Sequence, residues 1–141
     1  MSRPFNDILK GLRNWQINAE KYVISETKEF EAEIIDMNVK NMDVALDNEG
    51  DSFLHKYQRR TIAYKETFGE PYLTDTGDFK DNMMIKFKKD YLALFSTDGK
   101  TPKVIEKFGR EVFGLDEEKM EELREMVKPN IINRFRKTVF R

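Results

Sequence analysis

The feature that most constrains this chain is a stretch with neither glycine nor proline, running from Leu12 to Glu49. Within it and just ahead of it, apolar residues recur at Phe5, Ile8, Leu12, Trp15, Ala19, Tyr22, Phe30, Ile34 and Met37, in steps of three and four with one gap at Glu26. That spacing draws one apolar stripe along an α-helix. Asn6 is a candidate N-cap with Asp7 in the first turn, and the pattern fades between residues 42 and 47. A helix of ~35 residues would be about 50 Å long, whereas a compact chain of 141 residues is about 37 Å across. Either the helix breaks, near Ser25 to Thr27 where helix propensity dips, or another chain covers part of its stripe.

The length fits a single domain that buries roughly two thirds of the surface exposed by its unfolded chain. Eleven Phe, five Tyr and seven Met supply core volume beneath a densely charged surface. With 25 Lys and Arg against 26 Asp and Glu, no global basic field draws nucleic acid or anionic lipid, so any such contact is local. The absence of cysteine excludes disulfides, thiolate metal sites and a cysteine nucleophile. No stretch approaches the ~20 apolar residues of a membrane span, and the first residues lack the apolar run of a secretory signal. The chain is therefore expected in a cytosol, or in an assembly built there.

Beyond the helical arm of residues 1–46, Asp47 to Ser52 reads as a turn, and the segment from Leu54 to Phe68 as a short helix ended by Gly69. The loop-rich stretch up to residue 82 carries Pro71, Gly77 and small polar residues, and has room for one helical turn. Met83–Phe87 and Tyr91–Ser96 are β-prone runs separated by Lys88, Lys89 and Asp90, which reads as an antiparallel hairpin within residues 83–97. Residues 103–141 are helical, with a first helix stopped at Phe108 and Gly109 and a second capped by Asp116. Pro129 should kink that second helix or divide it in two. Five glutamates precede Pro129 and Lys128, Arg134, Arg136, Lys137 and Arg141 lie around or after it, a polarity that suits the helix dipole. The fold class is α+β: a long N-terminal helix, a small antiparallel sheet and a C-terminal helix or kinked helix pair.

Residues that carry chemistry are scarce. His55 is the only histidine, and the acids nearest it, Asp47, Glu49 and Asp51, sit in a turn that lacks the closing glutamate of a twelve-residue calcium loop. No metal, cofactor or catalytic residue is assigned. Ser25, Ser52 and Ser96 have no other base available, and the glycines never form a phosphate-cradling loop. Asp75 and Asp78 flank Gly77 and could do acid–base work, but 26 acids make such a pair expected by chance. The C-terminal NRFRKTVFR alternates basic and apolar residues, so a nucleic-acid-binding or regulatory module using Arg134 and Arg136 is the alternative function. At helical spacing the same residues form a core face of Ile131, Phe135 and Val139 with the charges turned outward.

Two segments, LTDTGDFKDNMMIKF and KVIEKFGREVFGL, carry a TG followed by an apolar residue, two polar residues and a strand, and later an apolar, acidic, FG sequence. With Gly50, Tyr57, Thr61, Lys65 and Gly69 leading to Thr76 and Gly77, this order resembles the tailed-phage tail-completion and virion-morphogenesis proteins, neck proteins of the head–tail junction. The likeness covers Gly50 to Leu115 by motif and the rest by layout. Phe79 and Asn82 stand where that family usually has leucine and a small hydroxyl residue, and Asp75 where a basic residue often precedes TG. The resemblance implies a structural virion protein, assembled in the host cytoplasm. It would act as a ring-like homo-oligomer contacting other neck, portal-side or tail-tube proteins and DNA passing through the ring, and it would be neither an enzyme nor a membrane protein. Thr76, Gly77, Phe108 and Gly109 would then be turn residues, with Gly77 at positive φ. Trp15, Tyr22, Phe30, Arg134 and Arg136 are the candidate partner contacts.

Overall fold

The long apolar stripe is cut in two. In the computed structural model, which describes residues 5–74, 77–89 and 91–140, helix α1 (Phe5–Lys28) ends in a turn at Glu29 and Phe30 before α2 (Glu31–Asp43) begins. The Thr27 hydroxyl donates to the Val23 carbonyl at 2.7 Å, and the Phe30 N–H turns back to the Thr27 carbonyl at 3.0 Å. A hydroxyl that bonds its own helix four residues back weakens the helix there, so the break falls just after the dip in propensity. Asn6 lies inside α1, which already includes Phe5, and so does not cap it.

The chain continues through a 3₁₀ turn (Leu54–Lys56), α3 (Arg59–Phe68), α4 (Asp78–Asp81), strands β1 (Met83–Phe87) and β2 (Leu92–Ser96), α5 (Thr101–Phe108), a second 3₁₀ turn (Arg110–Val112) and α6 (Glu117–Val139). This is a mixed α+β fold, mostly helical. Its punctuation follows the local chemistry. Asp116 caps α6 by accepting the Lys119 N–H at 3.0 Å, and Gly69 closes α3 in the left-handed region at φ 65°. Gly77 opens α4 at φ 90°, while Thr76 lies outside the described residues, as do Asp75, Asp90 and Arg141. Pro129 bends α6 without dividing it; the missing N–H removes one hydrogen bond and its neighbours carry the helix across. No helix among the described residues is long and apolar enough to cross a membrane.

The end of α2 shows why the pattern fades there. The Leu46 N–H reaches back to the Asn41 carbonyl at 2.8 Å and the Ala45 N–H to the Met42 carbonyl at 3.0 Å, the paired bonds of a Schellman stop. Such a stop needs a left-handed residue, and Ala45 takes that role at φ 58° with its methyl fully buried. An alanine there packs where a glycine would leave a gap, at a conformational cost of about 1–2 kcal/mol.

Two compact units emerge. One comprises the chain up to Glu31 together with the stretch from Glu122 onward; the other spans Ala32–Glu121. The second holds most of the buried side chains, including Ile34, Met42, Phe53, Phe79, Ile85, Leu94 and Val112. Its hairpin pairs Ile85 with Leu94 and Met83 with Ser96, and these four residues bury one face of the sheet. Between α5 and α6 the chain makes only the 3₁₀ turn, and from Val112 to Asp116 it is buried or half-buried, so its peptide groups need partners. Asn38, 1% exposed, supplies two: its amide donates to the Val112 carbonyl at 2.9 Å and its carbonyl accepts the Gly114 N–H at 3.1 Å. Asn48 supplies two more, donating from its backbone N–H to Glu111 at 2.7 Å and from its side chain to Phe113 at 3.0 Å.

Removing a partner from a buried peptide group costs about 1–3 kcal/mol. Asn38→Ala strands two such groups, so it should lower the unfolding free energy by about 3 kcal/mol. Urea denaturation followed by far-UV circular dichroism reads this as a large drop in midpoint; an unchanged midpoint would show that the segment does not depend on Asn38.

Candidate functional site

The helix pair α1 and α6 carries the residues that the sequence singles out. Gly11 meets the backbone of Thr138 and Val139, Trp15 meets Phe135, and Tyr22 and Glu26 meet Arg134, so the two helices run in opposite directions. At Gly11 there is no room for a side chain: a Cβ would lie 2.8 Å from the Val139 Cα and 2.8 Å from the Thr138 carbonyl oxygen. The crossing is therefore made backbone to backbone, and glycine is what permits it. In the sequence this residue is visible only as a lone glycine beside the stripe residue Leu12.

Around this crossing is a ring-and-charge cluster. Trp15 and Phe135 meet edge to face with centroids 5.1 Å apart, Trp15 and Tyr22 lie at 5.7 Å, and Phe140 stands 6.3 Å from Phe135. The Arg134 guanidinium covers the Tyr22 ring at 4.3 Å while donating to the Glu26 carboxylate at 3.0 Å and the Ser25 hydroxyl at 3.4 Å. Stacking and ion pairing by one planar cation hold α1 to α6 with little apolar burial. Of the five candidate contact residues, Trp15, Tyr22 and Arg134 thus come together within the chain. Arg136 stays exposed, and Phe30 sits half-buried in the turn between α1 and α2. Glu26, the gap in the apolar stripe, is the partner of Arg134.

The apolar stripe is only partly covered by this arrangement. Gly11 alone is buried among the 24 residues of α1, while Phe5 is 72% and Ile17 81% exposed, with Leu12 and Val23 exposed as well. Ile132 and Phe140 are exposed on the α6 side.

A second constellation lies in the Ala32–Glu121 unit, where two lysines fasten the loop between α3 and α4. Lys65, buried, donates to the Pro71 carbonyl at 2.9 Å and the Thr74 carbonyl at 3.2 Å. Lys80 donates to the Asp43 carboxylate, the Tyr72 carbonyl at 2.5 Å and the Thr74 hydroxyl at 2.5 Å. The Tyr57 hydroxyl accepts the Leu73 N–H at 2.8 Å and holds Leu73 at φ 55°, a left-handed conformation unusual for leucine. Burial pulls the Lys80 ammonium below its ordinary 10.5, against the pull of Asp43 that favours its charge. Burial also raises the phenols of Tyr57 and Tyr72 above 10, at Tyr57 partly offset by the Leu73 N–H. The Tyr72 hydroxyl, in a side chain 8% exposed, finds no hydrogen-bond partner among the described residues. With all three N–H bonds of Lys80 taken and two of Lys65's engaged, the lysines act as internal cations for loop carbonyls.

The remaining candidates do not converge. His55 is exposed in its 3₁₀ turn, and Asp47 uses its carboxylate on the N–H groups of Glu49 and Asp51, a self-contained turn. Asp78 lies in α4, and among the described residues no cluster of three metal-binding side chains occurs. Phe108 packs its ring on Phe53 and Tyr57, at 5.6 and 4.8 Å, and Gly109 ends α5 at φ 87°. No family model matches the sequence, and comparisons with curated proteins and with solved structures gave no match.

Two substitutions test these contacts. Gly11→Ala forces the helices apart and should destabilise the protein by about 1–3 kcal/mol, as overpacked contacts do, seen as a lower thermal midpoint. Tyr72→Phe removes a buried hydroxyl without a partner, so stability should be unchanged or rise by about 1 kcal/mol. A phenol raised in the folded state binds its proton more tightly there than in the unfolded chain, so its contribution is complete below pH 10 and is lost as pH climbs through the folded value. Above pH 10 Tyr72→Phe should therefore lose stability less steeply than the parent. The lowered Lys80 ammonium gives the opposite slope between its folded value and 10.5 in both proteins, whereas Tyr57, raised in part by the Tyr72 phenolate, changes in the same direction as Tyr72, so the difference in slope reports the two phenols together. Equal slopes would show that Tyr72 is not titrating from a buried state.

Proposed function

We propose that this chain is an assembly subunit, a structural component of a tailed-phage or prophage particle at the head–tail neck or tail top. It would work as a ring of identical copies between portal-side and tail-tube proteins, with DNA passing through the ring. The observation that carries the reading is α1: a helix of 24 residues that buries only Gly11 and leaves large apolar side chains exposed. A helix owes most of its stability to tertiary packing of an apolar face, so a face left open is a place where another copy packs. Within closed rings the contacts are heterologous, which suits a projecting helix on one copy meeting a different surface on the next.

The particle setting rests on the resemblance through Thr76, Gly77, Phe108 and Gly109. The order of a helical region, a left-handed Gly77, a hairpin and a C-terminal helix supports it. The engagement of Arg134 with Glu26 and Tyr22 leaves Arg136 as the exposed member of the basic pair, which favours a protein contact over a phosphate track.

Light scattering on the purified chain should give a mass that is a multiple of the monomer's. Ile17→Glu, at a position 81% exposed, should leave the circular dichroism spectrum and melting unchanged while reducing that mass by at least half. A parent chain that stays monomeric at high micromolar concentration would sink the proposal.

A further inference from the structure

Helix α5 turns Val104, Ile105 and Phe108 inward and presents Lys100, Lys103 and Lys107 to solvent along one side, with Glu106 to the side of the row. Lys100 stands just before the helix with helical backbone angles, so the three follow at steps of three and four, about 4.5 and 6 Å along the axis. The field of α5 itself does not account for them. A helix N-terminus disfavours cations, yet the first turn of α5 has no acid and carries Lys103, and Lys103 and Lys107 are like charges at the destabilising i,i+4 spacing. The Lys107 ammonium lies 5.5 Å from the centre of the Tyr57 ring and 5.2 Å from that of Phe108, which holds a long side chain in place before any partner arrives. Lys56 adds a cation at this end, its ammonium donating to the Phe108 carbonyl at 2.9 Å.

A row of opposite sign lies on α6. Leu123 and Val127 are buried, and Glu118, Glu121, Glu122 and Glu125 are exposed together on another side. Glu118 suits the positive end of the helix, but that effect fades within the first turn and does not reach Glu121, Glu122 or Glu125. Glu118 with Glu122, and Glu121 with Glu125, repeat the like-charge spacing, and Lys119 and Arg124 to either side of the row offset part of that repulsion. The chain as a whole is close to neutral, at −1, so a separate row of each sign is a property of its surface and not of its composition.

We propose that the lysine row of α5 in one copy meets the glutamate row of α6 in the next, with the two helices antiparallel. Antiparallel approach reverses the order of steps, and the rows match in that sense: Lys100, Lys103 and Lys107 come level with Glu125, Glu122 and Glu118 at equal spacing. It also sets the negative end of α5 beside the positive end of α6, whereas parallel approach sets two positive ends together. The contact joins two different faces, so it is heterologous, the kind that a closed ring repeats from copy to copy. It rests on the reading of the chain as an assembly subunit and uses neither α1 nor its apolar side chains. Exposed ion pairs contribute little each, and complementary fields act mainly on partner choice and register, so the rows select which faces meet. A phosphate backbone is the competing occupant of a lysine row, and a glutamate row on a chain of charge −1 disfavours it.

Charge reversal tests the contact. Lys103→Glu with Lys107→Glu, and in a second chain Glu118→Lys with Glu122→Lys, change exposed side chains, so circular dichroism and melting should stay near those of the parent. Each double variant sets like charges against each other, and in light scattering each should raise the concentration at half-association by at least about tenfold. An equal mixture of the two should recover association, because alternating copies give every α5 an α6 of opposite sign, and so should the chain that carries all four changes. If a reversed pair melts early, glutamine at the same positions should weaken association in the same direction. Association unchanged by both reversals, or weakened by both and recovered by neither the mixture nor the fourfold variant, would overturn the contact and leave self-association standing. Recovery by Glu121→Lys with Glu125→Lys in place of the 118 and 122 pair would establish the parallel register and overturn the antiparallel one. Salt-dependent binding of duplex DNA by the parent that Lys103→Glu with Lys107→Glu abolishes would make the row a phosphate track, which also overturns the proposal. If the parent is monomeric, this contact and the assembly reading fall together.

Discussion

In the Ala32–Glu121 unit, α2 and the turn after it are tied to the stretch of backbone between α5 and α6, which is buried or half-buried from Val112 to Asp116. Peptide groups taken from water without partners cost more than most contacts return, so the stretch can be buried only where side chains meet it. Asn38 from α2 and Asn48 from the turn after it supply four hydrogen bonds to residues 111–114, and the Lys56 ammonium supplies a fifth, to the Phe108 carbonyl at 2.9 Å. Once those bonds are made, α2 and the 47–51 turn are held to the segment that leads into the Asp116 cap of α6. Phe108 is held among the rings of Phe53 and Tyr57 at the same place.

The loop between α3 and α4 applies the same solution with charge in place of amides. Lys65 and Lys80 place two ammonium groups against three backbone carbonyls, a hydroxyl and the Asp43 carboxylate. Desolvating an ammonium is costly, and the lowered Lys80 value is that cost made visible. It is offset by fixing a loop that includes a left-handed leucine. The donors of both lysines are turned inward onto the chain's own carbonyls.

The unit formed by α1 and the stretch from Glu122 onward is built differently. Its described contacts include a glycine crossing, an edge-to-face pair of Trp15 and Phe135 and an arginine that stacks, pairs and donates, and it leaves large apolar side chains of α1 such as Phe5, Leu12 and Ile17 in water. A chain that spends dense polar bonding on one unit and leaves apolar surface on the other is suited to contact with further chains. That contrast underlies the proposal of an assembly subunit.

Much of the fold was legible in the sequence because its signals are local. Hydrophobic spacing marked α1 and α2, Gly69 and Asp116 marked helix ends, and the β-prone runs on either side of Lys88 and Lys89 gave the hairpin. Pro129 announced a bend, since a missing N–H is a property of one residue. What the sequence could not disclose depends on which distant groups meet. Asn38 and Asn48 look like ordinary polar helix and turn residues until the backbone some seventy positions later needs their amides. Lys65 and Lys80 look like solvated charges until a loop folds over them, and Arg134 looks like part of a phosphate-binding track until Glu26 and Tyr22 stand beside it. Residue type and spacing determined where helices and strands form and stop. Only the tertiary structure decided which polar groups are buried, because burial and partner are properties of a place in the fold, and the free energy of a polar side chain changes sign with them.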